Sequence, residues 1–529
     1  MSKKENITAS LFSSNALNDI KNQENAIDLK LQRRQQNFSN EENFSEIKEN
    51  SMTNELSLGL NFRNKIFMQK RLRQNMNIEK TQSLKNKLTS PLELFEKCET
   101  MNVELSKFSE ILATFRTQDI NQKYLGLVGI RKLLLLNPSP TQELIDAGVI
   151  PEIISLLENS PAEFQNEALN FLTIFSEGSS DQINAIVAKG IIPKIVKLME
   201  SSIEELKLQA CYIIGNLANE SPKIRDLLIK EKGFDKLLTI LSSTDKDSLI
   251  RQCIGTLGYF FKVRPLPPFN IAKKSIKIIA RSITMITDDL DFLSDAFRIL
   301  SFITEYYKGA VKELLDFNIL QNTIKCLDID EPYIQLSCLR IIGNVASGNA
   351  NQTQLLIDSK LLDYLKKTLF NINKAVRKES AWIISNIAAG TQKQIEILIN
   401  EDFLPILSKI IENDELEIIR ECIWAVCNLT SVENPEFTKK ILKQNILKII
   451  CNCLQMENAK YLAVCLEALN NLLAFGRKNS NNGINPIVIE LEKMGMCDIL
   501  EKLQYHPVEV VYDKTLKLLE TYFETQFIE

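Results

Sequence analysis

Histidine is almost missing from this chain of 529 residues; His506 is the only one. An imidazole-based catalytic or zinc centre therefore has little to be built from. No Walker-type loop, GxGxxG turn or nucleophile elbow occurs, so no enzyme and no cofactor are expected. Glycine (17) and proline (15) are scarce for the length, which disfavours a turn-rich β architecture. No run of 18 or more apolar residues appears, so no membrane span is expected. The first residues, MSKKENITASLFSS, lack the apolar core of a secretory signal.

Cysteine is present (11 residues) but carries no CxxC spacing. Cys451 and Cys453 lie two apart, which on a helix points them away from each other. The cysteines read as small core residues of a reducing compartment.

What the chain does have is apolar content and uneven charge. Hydrophobic residues make up 45%, enough for a large buried core. Residues 61–90 hold eight Lys/Arg against the single acid Glu79, a balance of +7. The whole chain is −4, so the remainder is −11. A basic segment tied to an acidic body could engage an acidic partner, nucleic acid or its own body. Residues 1–60 are polar, with few clustered apolar positions. They are expected to be disordered, because they bury too little to offset ordering entropy.

From about residue 103 the sequence repeats. The loops DAGVIP at Gly148, AKGIIP at Gly190 and EKGFDK at Gly233 are 42 and 43 residues apart. Asn318, Lys360, Asp402 and Asn445 continue the series after one double step, and Gly495 follows the insertion GRKNSNNGINPI. A period near 42 belongs to helical solenoids of the HEAT and armadillo kind. Each unit reads as a loop, an apolar helix such as IPEIISLLEN, a polar turn and a longer helix such as FQNEALNFLTIFSEG. One unit cannot cover its own apolar face, so stacking must close the core. About ten units fit between 103 and 525.

Residues one period apart form columns along the last helix of each unit. One column is Asn170, Tyr212, Gly255, Arg298, Arg340, Trp382 and Trp424. One turn further on run Ile174, Asn216, Tyr259, Phe302, Asn344, Asn386 and Asn428. Three residues before the first column run Glu167, Gln209, Gln252, Asp295, Ser337, Glu379 and Glu421. An Asn offers a donor and an acceptor to an extended peptide backbone. Trp rings wall in an aliphatic Lys stem and attract its cation. An acid one turn back receives the ammonium or guanidinium. Packed helices lie roughly 8–10 Å apart and three extended residues span about 10 Å, so rows and peptide stay in step. The same residues also suit ordinary core and cap roles. Against that, Asn recurs inside three successive helices, and both tryptophans fall in one column.

These segments resemble the importin-alpha family, adaptors for nuclear-localisation-signal cargo. LRIIGNVASGNANQTQLLI is similar to the family's sixth repeat, VRKESAWIISNIAAG to its seventh and IIRECIWAVCNLTS to its eighth. LEKLQYHPVEVVYDKTLKLLETYF resembles the last repeat. The resemblance covers about residues 103–525. It implies an all-α, right-handed superhelical solenoid of about ten armadillo repeats, preceded by a disordered N-terminal region. It also implies a minor cargo site on repeats six to eight: Arg340, Asn344, Glu379, Trp382, Asn386, Glu421, Trp424 and Asn428. The acidic position after the sixth-repeat ladder is replaced in GNANQ by Asn349 and Asn351. The major site, on repeats two to four, departs further from the family. Asn170 with Ile174 and Gly255 with Tyr259 replace its Trp–Asn pairs. Tyr212, Asn216 and Glu220 remain, with Asp295 in repeat five. KRLRQNMNIEK within 61–95 resembles the importin-beta-binding region, with Arg63, Lys65, Lys70, Arg71, Arg73 and Lys80. In the family this segment also folds back on the groove.

The implied function is a nuclear import adaptor that shuttles between cytoplasm and nucleus. Its partners would be cargo, importin beta and an export receptor. The alternative is an armadillo scaffold that uses the groove for non-import partners. Direct nucleic-acid binding by the acidic solenoid is not expected.

Overall fold

The 42-residue ruler is a backbone feature. In a computed structural model, Gly148, Gly190, Lys232, Asn318, Lys360, Asp402, Asn445 and Gly495 all take left-handed φ, between 53° and 77°. One landmark moves: the left-handed residue of the third loop is Lys232, not Gly233, which opens the next helix. That restores a 42-residue step from Gly190. Five of these eight turns use a residue other than glycine, although a side chain costs about 1 kcal/mol or more there.

The structure describes residues 98, 101–136, 139–456, 458–480 and 484–523. The proposed extension 1–60 and basic segment 61–95 lie outside them. The described residues form ten armadillo repeats. They fall into two compact units, divided between Ile303 and Thr304.

Each full repeat has three helices, where the sequence pattern showed two. The stretch before the left-handed residue is itself a short helix, as in Ser180–Ala188, Ala350–Asp358 and Gln392–Asn400. These helices hid as loops because they are nine residues long and mix Asn and Gln among their apolar residues. Their starts are nonetheless written in the sequence. Ser179, Asn349 and Thr391 each cap the helix and exchange hydrogen bonds with Gln182, Gln352 and Gln394 three residues on. The Gln side chains fill the space of a Cβ at Gly178, Gly348 and Gly390. Asn349, read as a lost acid, is thus a helix cap.

In the N-terminal unit the last helices of repeats one to four are Ile120–Leu133, Ala162–Ser176, Glu204–Glu220 and Asp247–Phe260. Repeat five differs, which explains the double step in the ruler. Its first helix is replaced by the loop VRPLPP, followed by one long helix, Phe269–Met285, and then Leu290–Tyr306. Arg225, only 1% exposed, holds this loop by donating to the carbonyls of Val263 and Pro265.

In the C-terminal unit the last helices of repeats six to ten are Pro332–Ala346, Lys374–Ala388, Leu416–Leu429, Ala459–Lys478 and Glu509–Tyr522. Within each unit successive last helices pack on one another. Their Leu, Ile, Val and Ala side chains are buried between repeats, as at Ile341, Ile342, Ile383, Ile384 and Ile423. Each such side chain contributes about 1.5–3 kcal/mol, and only a neighbouring repeat can supply the cover. Among the described residues no helix is long and apolar enough to cross a membrane.

Candidate functional site: the last-helix face

All three columns lie on last helices, as the spacing requires. Their states differ between the two units.

In the C-terminal unit the tryptophans are not core residues. Trp382 and Trp424 are half-buried, whereas the Ile and Ala beside them are fully buried. The indole of Trp382 lies against the preceding helix at Gly343. A Cβ there would sit 1.9 Å from its Cζ3 and 2.5 Å from its Cε3. Gly343 is therefore part of the wall: it lets the ring lie on the backbone of repeat six. The acids sit low on the same face, Glu379 at 5% and Glu421 at 8% exposure. Arg340 approaches Glu379, with Nε 3.8 Å from Oε1. Ser385 donates to Glu421 Oε2 at 3.3 Å.

The Asn ladder carries a second bond that spacing did not suggest. Asn344 Nδ2 donates to Thr304 Oγ1 at 3.0 Å, and Asn428 Nδ2 to the carbonyl of Ser385 at 3.3 Å. Asn216 does the same in the N-terminal unit, to Ser176 Oγ at 3.0 Å. Each of these amides thus commits one of its two N–H donors to the repeat before. Asn386 departs from the rule. It is 4% exposed and its Nδ2 has no hydrogen-bond partner among the described residues. An orphaned buried donor costs about 1–3 kcal/mol, which a carbonyl acceptor would recover.

Sequence reading stopped the ladder one repeat early. Asn471, 43 residues after Asn428, donates to Thr430 Oγ1 at 3.1 Å. Arg420 Cζ lies 5.6 Å from the centre of the Tyr461 ring. One more period of the ruler would have found Asn471; nothing in the spacing marks Tyr461.

In the N-terminal unit the acids are already engaged. Glu167 pairs with Arg131 and accepts from Asn170, whose Oδ1 accepts from Gln209 Nε2 at 2.9 Å. Glu177 accepts from the Tyr212 hydroxyl at 2.7 Å. Burial, then the Glu177 charge, pushes that phenol well above its ordinary range. Asp295 pairs with Arg298, Nη2 to Oδ1 at 2.8 Å. Glu220 is half-buried and is the last residue of its helix. The face brings Tyr212 and Asn216 together, while Asp295 lies two repeats further on. Residues Arg63, Lys65, Lys70, Arg71, Arg73 and Lys80 lie outside the described residues. No group of three or more His, Cys, Asp or Glu suited to a metal occurs among the described residues. The eleven cysteines are free thiols.

This stacking of three-helix units defines an armadillo-repeat protein. The sequence matches the Armadillo/beta-catenin-like repeat over residues 179–219 and 391–431, and an atypical Arm repeat over 485–527. An engineered protein of known crystal structure shares the fold, with a TM-score of 0.65 at 21% identity over 79% of this chain and 98% of its own. Importin subunit alpha-1b of Oryza sativa is 32% identical over 399 residues, 74% of each chain. Importin subunit alpha-2 of Arabidopsis thaliana is 33% identical over 401 residues, again 74% of each. Importin subunit alpha-B of Dictyostelium discoideum is 29% identical over 432 residues, 80% of this chain and 83% of its own. The chain belongs to the importin-alpha family, as a divergent member.

Proposed function

We propose that the chain is a nuclear import adaptor without catalytic activity. The last-helix face of repeats six to eight holds the basic residues of a nuclear-localisation peptide. Segment 61–95 links the cargo to importin beta, an export receptor returns the adaptor, and the protein shuttles between cytoplasm and nucleus. The observation that carries this reading is the constellation around Asn386. A buried amide donor lies on the same face as two half-buried tryptophans and the acids Glu379 and Glu421. Lysine stems lie against the rings, their ammoniums reach toward the acids, and the Asn column meets the peptide backbone. Kinship with importin alpha subunits supports the same reading.

Intrinsic fluorescence tests it, because both tryptophans of the chain stand at this face. A basic nuclear-localisation peptide is expected to change the emission as it binds. Losing one cation–π wall costs about 1–2 kcal/mol, so Trp382→Ala should weaken binding about 5- to 30-fold. Binding without an emission change, or unaltered in the double Trp382→Ala/Trp424→Ala variant, overturns the assignment.

A further inference from the structure

The last-helix face of repeats four and five carries cations where a lysine-reading site needs acids and rings. Gly255 stands in the ring column, and the acid row offers neutral Gln252. The Asn column holds two aromatics here, buried Tyr259 and half-buried Phe302, and Tyr259 packs over Gly215; a Cβ on Gly215 would lie 3.2 Å from Tyr259 Cδ2. The chain's own Lys262 already uses that ring, its Nζ 5.7 Å from the centroid. Arg298 closes the next repeat, its Nη2 3.2 Å from the Cβ position of Gly258, next to Tyr259. The acid one turn before it, Asp295, is paired with Arg298 at 2.8 Å. Lys262 forms no ion pair among the described residues. Its ammonium is held below the ordinary lysine range, first by burial and then by the Arg298 charge. The local sum of Lys262, Arg298 and Asp295 is +1.

We infer that this stretch of the face binds an acidic side chain of the peptide, a glutamate, aspartate or phosphoserine, rather than a lysine. The inference rests on the reading of the last-helix face as a peptide track. A carboxylate or phosphoryl oxygen set between Lys262 and Arg298 gains charge-assisted hydrogen bonds from both. A peptide lysine set there meets two like charges and a ring whose face is taken. Gly255 leaves room: a Cβ there would meet only Asp295 Oδ2, at 3.5 Å.

A substitution scan of labelled peptides against the full-length protein tests this by fluorescence anisotropy. Lys, Gln, Glu and phosphoserine are placed in turn at each position of a neutral spacer, with and without an attached basic cluster. At one or two adjacent positions Glu is expected to bind about 5- to 10-fold more tightly than Lys, with Gln between them. Phosphoserine above Glu identifies phosphate as the better ligand; Glu above phosphoserine identifies carboxylate. Lys262→Glu, on a half-buried side chain, should reverse the preference and leave both the melting temperature and the affinity for the basic cluster unchanged. A flat scan, a preference for Lys, or a Glu preference untouched by Lys262→Glu overturns the proposal. If the basic cluster fails to bind while the spacer series keeps its Glu preference, the import reading falls and this one stands.

Discussion

Gly343→Ala is the smallest change that should unseat the Trp382 ring, the wall proposed to line the cargo site. The added methyl would sit 1.9 Å from Cζ3, 2.5 Å from Cε3 and 3.0 Å from Cη2 of Trp382. These are three carbons of one rigid ring, so no rotation about its own plane relieves them. The indole must leave its seat. In an open helix, Gly→Ala would stabilise by about 1 kcal/mol. Here an overpacking cost of about 1–3 kcal/mol opposes it, so the folded state should lose up to about 2 kcal/mol. Peptide affinity should fall with the lost wall, by about 1–2 kcal/mol, or roughly 5- to 30-fold. The assay is anisotropy of a labelled basic peptide, paired with urea denaturation and Trp emission. A double-mutant cycle sharpens it. In a Trp382→Ala background the clash is gone, and Gly343→Ala should become neutral or stabilising. Equal stability and equal affinity of Gly343→Ala in the wild-type background would refute the argument, because the ring could not then be resting on that backbone.

Other expectations follow from named contacts. Arg377 and Asp414 join repeats seven and eight through two 2.8 Å hydrogen bonds. Although burial opposes it, the Arg377 partner holds Asp414 below its ordinary pKa. The folded form therefore binds fewer protons, so this stability is present above about pH 4 and lost as pH falls through the folded value. Asp414→Asn should cost about 1–3 kcal/mol at pH 7 in urea melts, and the deficit should shrink toward pH 3. Among the thiols, Cys326 is half-buried and held low by a hydrogen bond from Cys338, whereas burial pushes Cys451 up to about 12. Iodoacetamide at pH 7.5 should label Cys326 well before Cys451, as read by peptide mass spectrometry. Replacing Lys70, Arg71 and Arg73 with Ala in a 1–95 fragment should abolish capture of purified importin beta, if that segment is the link.

The repeat was legible because stacking makes one period visible at every level, in loops, apolar faces and columns. The ring and Asn columns were found this way, down to the departures at Gly255 and Arg298. What stayed hidden has a common cause. The short first helices run only nine residues, too few turns to show a period, and their Ser179, Asn349 and Thr391 caps betray them. The engagement of Glu167 by Arg131 and of Glu177 by Tyr212 joins residues 36 and 35 positions apart. Such pairs depend on side-chain reach between neighbouring repeats, which a column of identities does not encode. Gly343 carries no mark in the spacing; its role shows only in the Trp382 ring that rests on it.

The sideways bonds of the Asn ladder change what it can say to a guest. One Nδ2 hydrogen is committed at each of Asn216, Asn344, Asn428 and Asn471, which leaves the oxygen and a single N–H and fixes which way both point. Asn386 has no such tie to a neighbouring repeat among the described residues. A ladder of like rungs would let a bound chain slide by one period at no cost. A single untied rung gives the track an origin from which position is counted.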